Sequence, residues 1–292
     1  MVEDSISREI MPKGIHIDSS QIPTNPPTLP NYDWIPLTFL NLELQTAFIP
    51  NTRIVSSLLV SQAGLGKTTK LEFLRKFDFV EYVLDITPKH IADFLDDVND
   101  GKKKFLVIPD FIATLGHAKR TTELARSIFR GMTEEGIIKV SIFGMERNYK
   151  QPVKAGLISG ITTELMNLNS RLWKNDGFYS RFLPFSYSHT PATKNKVLEN
   201  KRDNINTISM FDMKIKTSNV IEPVRTVDID NQIKLVTYQL LEPSDAPYRM
   251  YDQIVALCKS SAVIRDSATI EQRDIDLVMQ LSGFINRRYQ PL

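Results

Sequence analysis

The chain has 292 residues, with 36 Lys and Arg against 34 Asp and Glu, a formal net charge of +2. At 42% hydrophobic and 24% charged residues it has the make-up of a globular protein, long enough for one large domain or two modest ones. So small a net charge excludes a globally basic nucleic-acid binder; any such surface has to be local. The one cysteine, Cys258, excludes an intrachain disulfide and a cysteine-rich metal site, and reads as a small buried hydrophobe. The histidines His16, His90, His117 and His189 lack metal-ligand spacing. The opening MVEDSISREI is polar and acidic, unlike a signal peptide. No apolar run approaches the roughly 18 residues of a membrane span. A cytoplasmic protein with no membrane partner is expected.

Residues 1–50 read as a proline-rich N-terminal arm. Pro23, Pro26, Pro27, Pro30 and Pro36 favour an extended chain up to residue 36, followed by a short helix in PLTFLNLELQTAFIP. Next, 53–61 (RIVSSLLVS) is a leucine-rich, β-branched run, a buried strand. The loop QAGLGKT follows, then helical spacing in TKLEFLRKF. A second strand is expected at 79–87, and a helix from Pro88, where a missing N–H costs little. A third strand at 105–108 ends at Asp110, and TTELARSIFRGMTEEG is an amphipathic helix that Gly136 stops. Strand and helix alternate, so the fold class is α/β with a parallel sheet and crossover helices. The lysine run 101–104 precedes a strand and is expected to be solvated, away from the carboxyl ends where ligands bind.

The alternation then breaks. IIKVSIFG and PVKAGLISGITT are strand-like runs joined by MERNYKQ, an inserted β-hairpin spanning 137–161. NLNSRLW is helical and SRFLPFSYS is one more strand. Residues 191–243, rich in lysine and asparagine, read as a basic linker or insert with no assigned structure. From 244 to 292 the pattern is helical. There is no internal repeat.

The stretch VSQAGLGKTTK matches the phosphate-loop pattern G-x-x-x-x-G-K-[ST] except that Ser61 stands in the first glycine slot. In such a loop, backbone N–H groups and the next helix N-terminus point at phosphates. The expected nucleotide contacts are Ser61, Gln62, Ala63, Gly64, Leu65, Gly66, Lys67, Thr68 and Thr69. Lys67 would reach the β- and γ-phosphates of ATP, and Thr68 would hold Mg²⁺. Asp110, in VIPDF, is the acid that a neighbouring strand must supply. In one register Asp110 orders Mg²⁺ and Phe111 stands where a base belongs. In the other, Pro109 takes the magnesium slot and Asp110 the base slot. Either way one carboxylate is missing, and slow or conditional hydrolysis is expected.

The order of these parts over 50–190 and 244–285 resembles the AAA+ ATPases, and more narrowly the branch with a β-hairpin before its sensor-1 strand. That branch includes the minichromosome maintenance helicases. The resemblance implies an AAA+ core at 51–190 and a helical lid at 244–292. It implies a polar sensor at Thr162 or Thr163 in SGITTEL. YSRFLPF is similar to the Ser-Arg-Phe motif of those helicases, making Arg181 an arginine finger for a neighbouring subunit. Arg249, at a helix start, stands where the family has its sensor-2 arginine, and Thr269 reads as the N-cap of the last lid helix. The hairpin residues Arg147 and Lys150, with Lys139 and Lys154, would then contact nucleic-acid phosphates, and Tyr149 would stack on a base.

The resulting expectation is an oligomeric AAA+ ATPase, a ring or partial ring acting on DNA as a helicase, translocase or loader. With so short a chain, the resemblance implies a compact viral or mobile-element helicase, or a partner of another replication protein. The competing expectation is an ATP-dependent assembly switch that barely hydrolyses.

Overall fold

The computed structural model describes residues 31–111, 119–142, 145–175, 177–203, 205–241 and 247–285. Its centre is a parallel sheet of β1 (Ser57–Ser61), β2 (Val80–Tyr82), β3 (Phe105–Ile108), β6 (Gly156–Thr162) and β7 (Leu183–Ser186). The spatial order is β2-β3-β6-β1-β7. Every residue of β1 and β3 is buried, as a strand covered on both faces requires. β4 (Ile137–Ile142) and β5 (Met145–Val153) form a separate antiparallel ribbon.

Period-2 alternation divides the apolar side chains between two layers. Leu58, Val60, Leu106, Ile108 and Leu157 face α3 (Pro88–Asn99), α4 (Lys119–Met132), the ribbon and α5 (Thr163–Asn175). Leu59, Phe105, Val107, Ile158 and Phe185 face the other way. There they meet α1 (Asn31–Gln45), α7 (Val227–Leu240), α8 (Pro247–Ile264) and α9 (Gln272–Ser282). Among the described residues, no helix is long and apolar enough to cross a membrane.

Several expectations need correction. The extended arm cannot reach residue 36: from Asn31 onward the chain is helix, with Pro36 inside α1. Pro36 forgoes one intrahelical bond, but Leu37, Phe39, Leu40, Leu42 and Leu44 are buried and hold the helix to the core. Residues 1–30 of that arm lie outside the described residues. The C-terminal helices are one face of the sheet's core: Met250, Ile254, Leu257 and Cys258 share a cluster with Leu59 and Phe185. The last helix is capped by Glu271 in a capping box with Asp274, not by Thr269, whose backbone bridges Val224. Residues 191–243 hold two helices: α6 (Pro191–Arg202) and α7 are capped by the hydroxyls of Thr190 and Thr226.

One buried acid in α1 carries a testable consequence. Glu43 is fully buried; its Oε2 accepts from Ser57 Oγ at 2.7 Å, and Oε1 has no partner among the described residues. Burial raises its pKa well above the ordinary 4.5, against the opposing hydrogen bond from Ser57. With the folded pKa above the unfolded one, its stabilising contribution is complete below the ordinary value. That contribution drains away as pH rises toward the folded pKa, by at most about 1.4 kcal/mol per pH unit. Glu43→Gln should therefore melt above the parent at about pH 8, with the gap narrowing at about pH 5. Thermal melts of both proteins test this, and a pH-independent gap would reject it.

Candidate nucleotide site

The carboxyl end of the sheet gathers the predicted loop residues, Asp110 and the two threonines. Gly64 and Gly66 have φ of 80° and 77°, a left-handed conformation that side chains disfavour. Gly66 caps the short helix α2 (Lys67–Glu72). Gln62, Ala63, Gly64, Thr68 and Thr69 are exposed, while Leu65 is buried and its carbonyl accepts from Tyr187 Oη at 3.4 Å. Lys67 Nζ donates to Ser61 O at 2.8 Å, Ser61 Oγ at 3.1 Å and Gln62 O at 2.9 Å. The residue in the first glycine slot thus has a role that glycine lacks: its hydroxyl helps hold the lysine ammonium.

Strand order brings the other candidates to this loop. β6 lies between β1 and β3, with Ser61 level with Thr162 and Ile108 level with Ser159. A Cβ at Gly160 would stand 2.4 Å from Pro109 O, so only glycine permits this approach of the β3 end to β6. Asp110 follows and is exposed, while Phe111 turns into the core against Trp173 and Phe178. Thr162 Oγ1 accepts from Leu165 N at 3.4 Å, and Thr163 opens α5. Burial lowers the Lys67 pKa, opposed by the carboxylates of Glu164 and then Asp110. Glu164, exposed in the first turn of α5, is therefore an acid of this site that sequence reasoning missed.

The loop opens into a cavity of about 510 Å³. Its far wall is α6, through Asn200 and Lys201, and residues 205–208. This is the region that the sequence left unassigned. Asp33 of α1 also lines it. Asp33 pairs with Lys70 Nζ at 2.9 Å and accepts from Thr207 Oγ1, tying α1, the loop helix and the far wall together. Lys70 and Asp33 are almost wholly buried, and Lys70 Nζ also lies 5.4 Å from the Tyr187 ring centroid.

Arg181 and Arg249 are not brought to this loop. Arg181 precedes β7 and Arg53 precedes β1, so both lie at the amino end of the parallel sheet. There Glu134 Oε2 is 3.0 Å from Arg181 Nε, and its Oε1 accepts from Arg249 Nε at 2.6 Å and Arg53 Nη1 at 3.3 Å. Burial pushes Glu134 up, but Arg249 and Arg53 outweigh it and hold the carboxyl below its usual range. Arg249 Nη1 also donates to Ser180 Oγ at 3.1 Å. Within one chain, neither a sensor-2 contact from Arg249 nor a finger contact from Arg181 forms at Lys67.

The hairpin also differs from its expected form. MERNYKQ is not its loop but most of β5; residues 143–144 separate the strands and lie outside the described residues. PVKAGLISGITT splits, its first part ending β5 and the rest forming core strand β6. Arg147 Nε donates to Asp96 Oδ2 at 2.9 Å, and Tyr149 Oη donates to Asp96 Oδ1 at 3.0 Å. Tyr149 is buried against α3 and cannot stack on a base, and Arg147 anchors the ribbon rather than capping its tip. Lys150 and Lys154 remain exposed, while Lys139 pairs with Glu146.

No protein-family model matches the chain, and a search of curated proteins finds no match. Left-handed glycines, a lysine and a helix N-terminus suit a polyphosphate. The exposed Thr68 hydroxyl and Asp110 carboxylate are oxygen donors at the same carboxyl end of the sheet, the ligand type that Mg²⁺ takes.

Proposed function

We propose that this protein binds ATP with Mg²⁺ and hydrolyses it, in the manner of an AAA+ ATPase. The observation that carries the reading is the convergence of Lys67, Asp110, Thr162 and Glu164 at the carboxyl ends of β1, β3 and β6. On this reading residues 61–69 cradle the phosphates. Lys67 leaves its contacts with Ser61 and Gln62 to pair with the β- and γ-phosphates. Thr68 and Asp110 hold Mg²⁺, which when bound offsets phosphate charge. Thr162 and Thr163 orient the γ-phosphate end, and Glu164 supplies the carboxylate that the acidic strand lacks, accepting a proton from the attacking water. The segment from α6 to residue 208 encloses the rest of the nucleotide.

Assembly into a ring or partial ring acting on DNA is the wider part of the reading. Arg181 would serve a neighbour's phosphates by exchanging Glu134 for them, with Arg249 beside it. Exposed Lys150 and Lys154 support a nucleic-acid contact; Arg147, engaged with Asp96, does not. A second reading, an ATP-dependent assembly switch, is favoured by one observation: the Arg181 side chain is only 11% exposed and already paired in its own chain.

The test is Mg²⁺-dependent phosphate release from ATP, measured across protein concentration for the parent and Arg181→Ala. A motor should show turnover per chain that rises with concentration and falls roughly 10³-fold or more without Arg181. Saturable ATP binding with equal, slow release in both proteins selects the switch. Absence of ATP binding rejects both.

A further inference from the structure

α6 runs for 12 residues and buries none of them. A helix this short, with no apolar stripe packed on the core, is marginal in water. Its fixed points lie outside it. Before α6, buried Tyr187 donates from Oη to Leu65 O of the phosphate loop at 3.4 Å. After it, Thr207 Oγ1 donates to Asp33, which pairs with Lys70 of α2 at 2.9 Å, and Ile208 is buried in the core. α6 is thus moored at both ends to the phosphate loop and its helix, and forms the far wall of the cavity between those moorings.

One face of α6 meets the cavity. Val197, Asn200 and Lys201 line it at i, i+3 and i+4, and Lys196 lies on another face. The lining charges are mostly positive. Lys67 and Lys201 both line the cavity, while the Lys70 charge is offset by Asp33. Lys201 is exposed and, among the described residues, makes no ion pair, whereas its neighbour Arg202 pairs with Asp203. His189 also lines the cavity; burial and then the Lys70 ammonium hold its pKa below the ordinary value. Lys67 and Lys201 repel one another across the cavity, and a polyphosphate between them turns that repulsion into attraction.

We propose that α6 is a clamp: phosphate held between Lys67 and Lys201 draws this helix closed over the nucleotide. This role rests on the cavity being a nucleotide site, and adds to that site a second cation for the phosphates and a moving part. No core packing has to break for α6 to move, because none of its residues is buried.

Amide hydrogen exchange, resolved by peptide, reads the clamp, and calorimetry on the same samples reads binding. ATP with Mg²⁺ should slow exchange across 193–202 by about tenfold or more. Inorganic triphosphate, which carries the charge without the base, should slow it too. Lys201→Ala should weaken ATP binding by about threefold to tenfold, the scale of an exposed cation on phosphate, and remove most of the slowing. Lys196→Ala removes the same charge from another face and should change neither. Both side chains are exposed, and melting curves show that each variant folds. ATP or triphosphate bound with α6 exchange unchanged, or Lys201→Ala indistinguishable from Lys196→Ala, overturns the clamp and leaves the nucleotide site standing. No ATP binding to the parent protein overturns both.

Discussion

Lys67→Ala should weaken ATP binding by about 10- to 100-fold while leaving the fold intact. The size follows from one charge-assisted hydrogen bond to phosphate, about 1.5–3 kcal/mol. The ammonium now donates to Ser61 O, Ser61 Oγ and Gln62 O, so a bound nucleotide has to replace those contacts. Gln62 is exposed and its carbonyl regains water, but Ser61 is buried, so its two acceptors lose a donor and about 1–3 kcal/mol of stability should go with the side chain. Ser61→Gly, which restores the usual loop residue, removes only one of the three hydrogen bonds and should change affinity far less than Lys67→Ala. Titration of a fluorescent ATP analogue into the three proteins, with a thermal melt of each, decides the matter. ATP affinity that survives Lys67→Ala would remove the phosphate loop from the function.

What could be read from the sequence follows the strength of local signals. β1 and β3 were legible because strands covered on both faces are continuous apolar runs, and the glycine loop between β1 and α2 has its own chemistry. α1 was masked by its one proline: Pro36 argues against helix locally, and burial of the surrounding leucines overrules it. The ribbon was found, but MERNYKQ read as a loop because its strand alternates exposed polar residues with the buried Tyr149. The helical stripe of α8 was plain, yet a stripe does not say which surface it covers, and here it covers the sheet. The far wall of the nucleotide cavity had one overlooked sign, Thr190 followed by Pro191, an N-cap and a first-turn proline. Glu164 was visible as a residue and invisible as a partner. Its closeness to Lys67 follows from β6 lying between β1 and β3, a fact of topology that no local pattern carries.

Glu164→Gln should lower ATP turnover by about 10²- to 10⁴-fold with little change in ATP affinity, the range for losing a general base. Phe111 cannot serve as the second carboxylate of the acidic strand, and its ring is buried among aromatics. Asp110 alone would have to hold the metal and accept a proton. Glu164 relieves that conflict: it stands in the first turn of α5, two residues beyond Thr162, which pairs with Ser61. Among the acids that favour the Lys67 ammonium, it acts more strongly than Asp110. A plain structural role is the competing account, since a carboxylate in a first helical turn favours the helix by about 0.3–1 kcal/mol. The two accounts separate in the kinetics. Glutamine keeps the size of the side chain and removes only its charge and basicity, so a structural role predicts a small shift in melting temperature and normal turnover. A catalytic role predicts a collapse of kcat with KM nearly unchanged. Asp110→Asn should instead raise the Mg²⁺ concentration needed for half-maximal activity. If Glu164→Gln turns over at the parent rate while Asp110→Asn is inactive at saturating Mg²⁺, the base is Asp110 and the site works with a single acid.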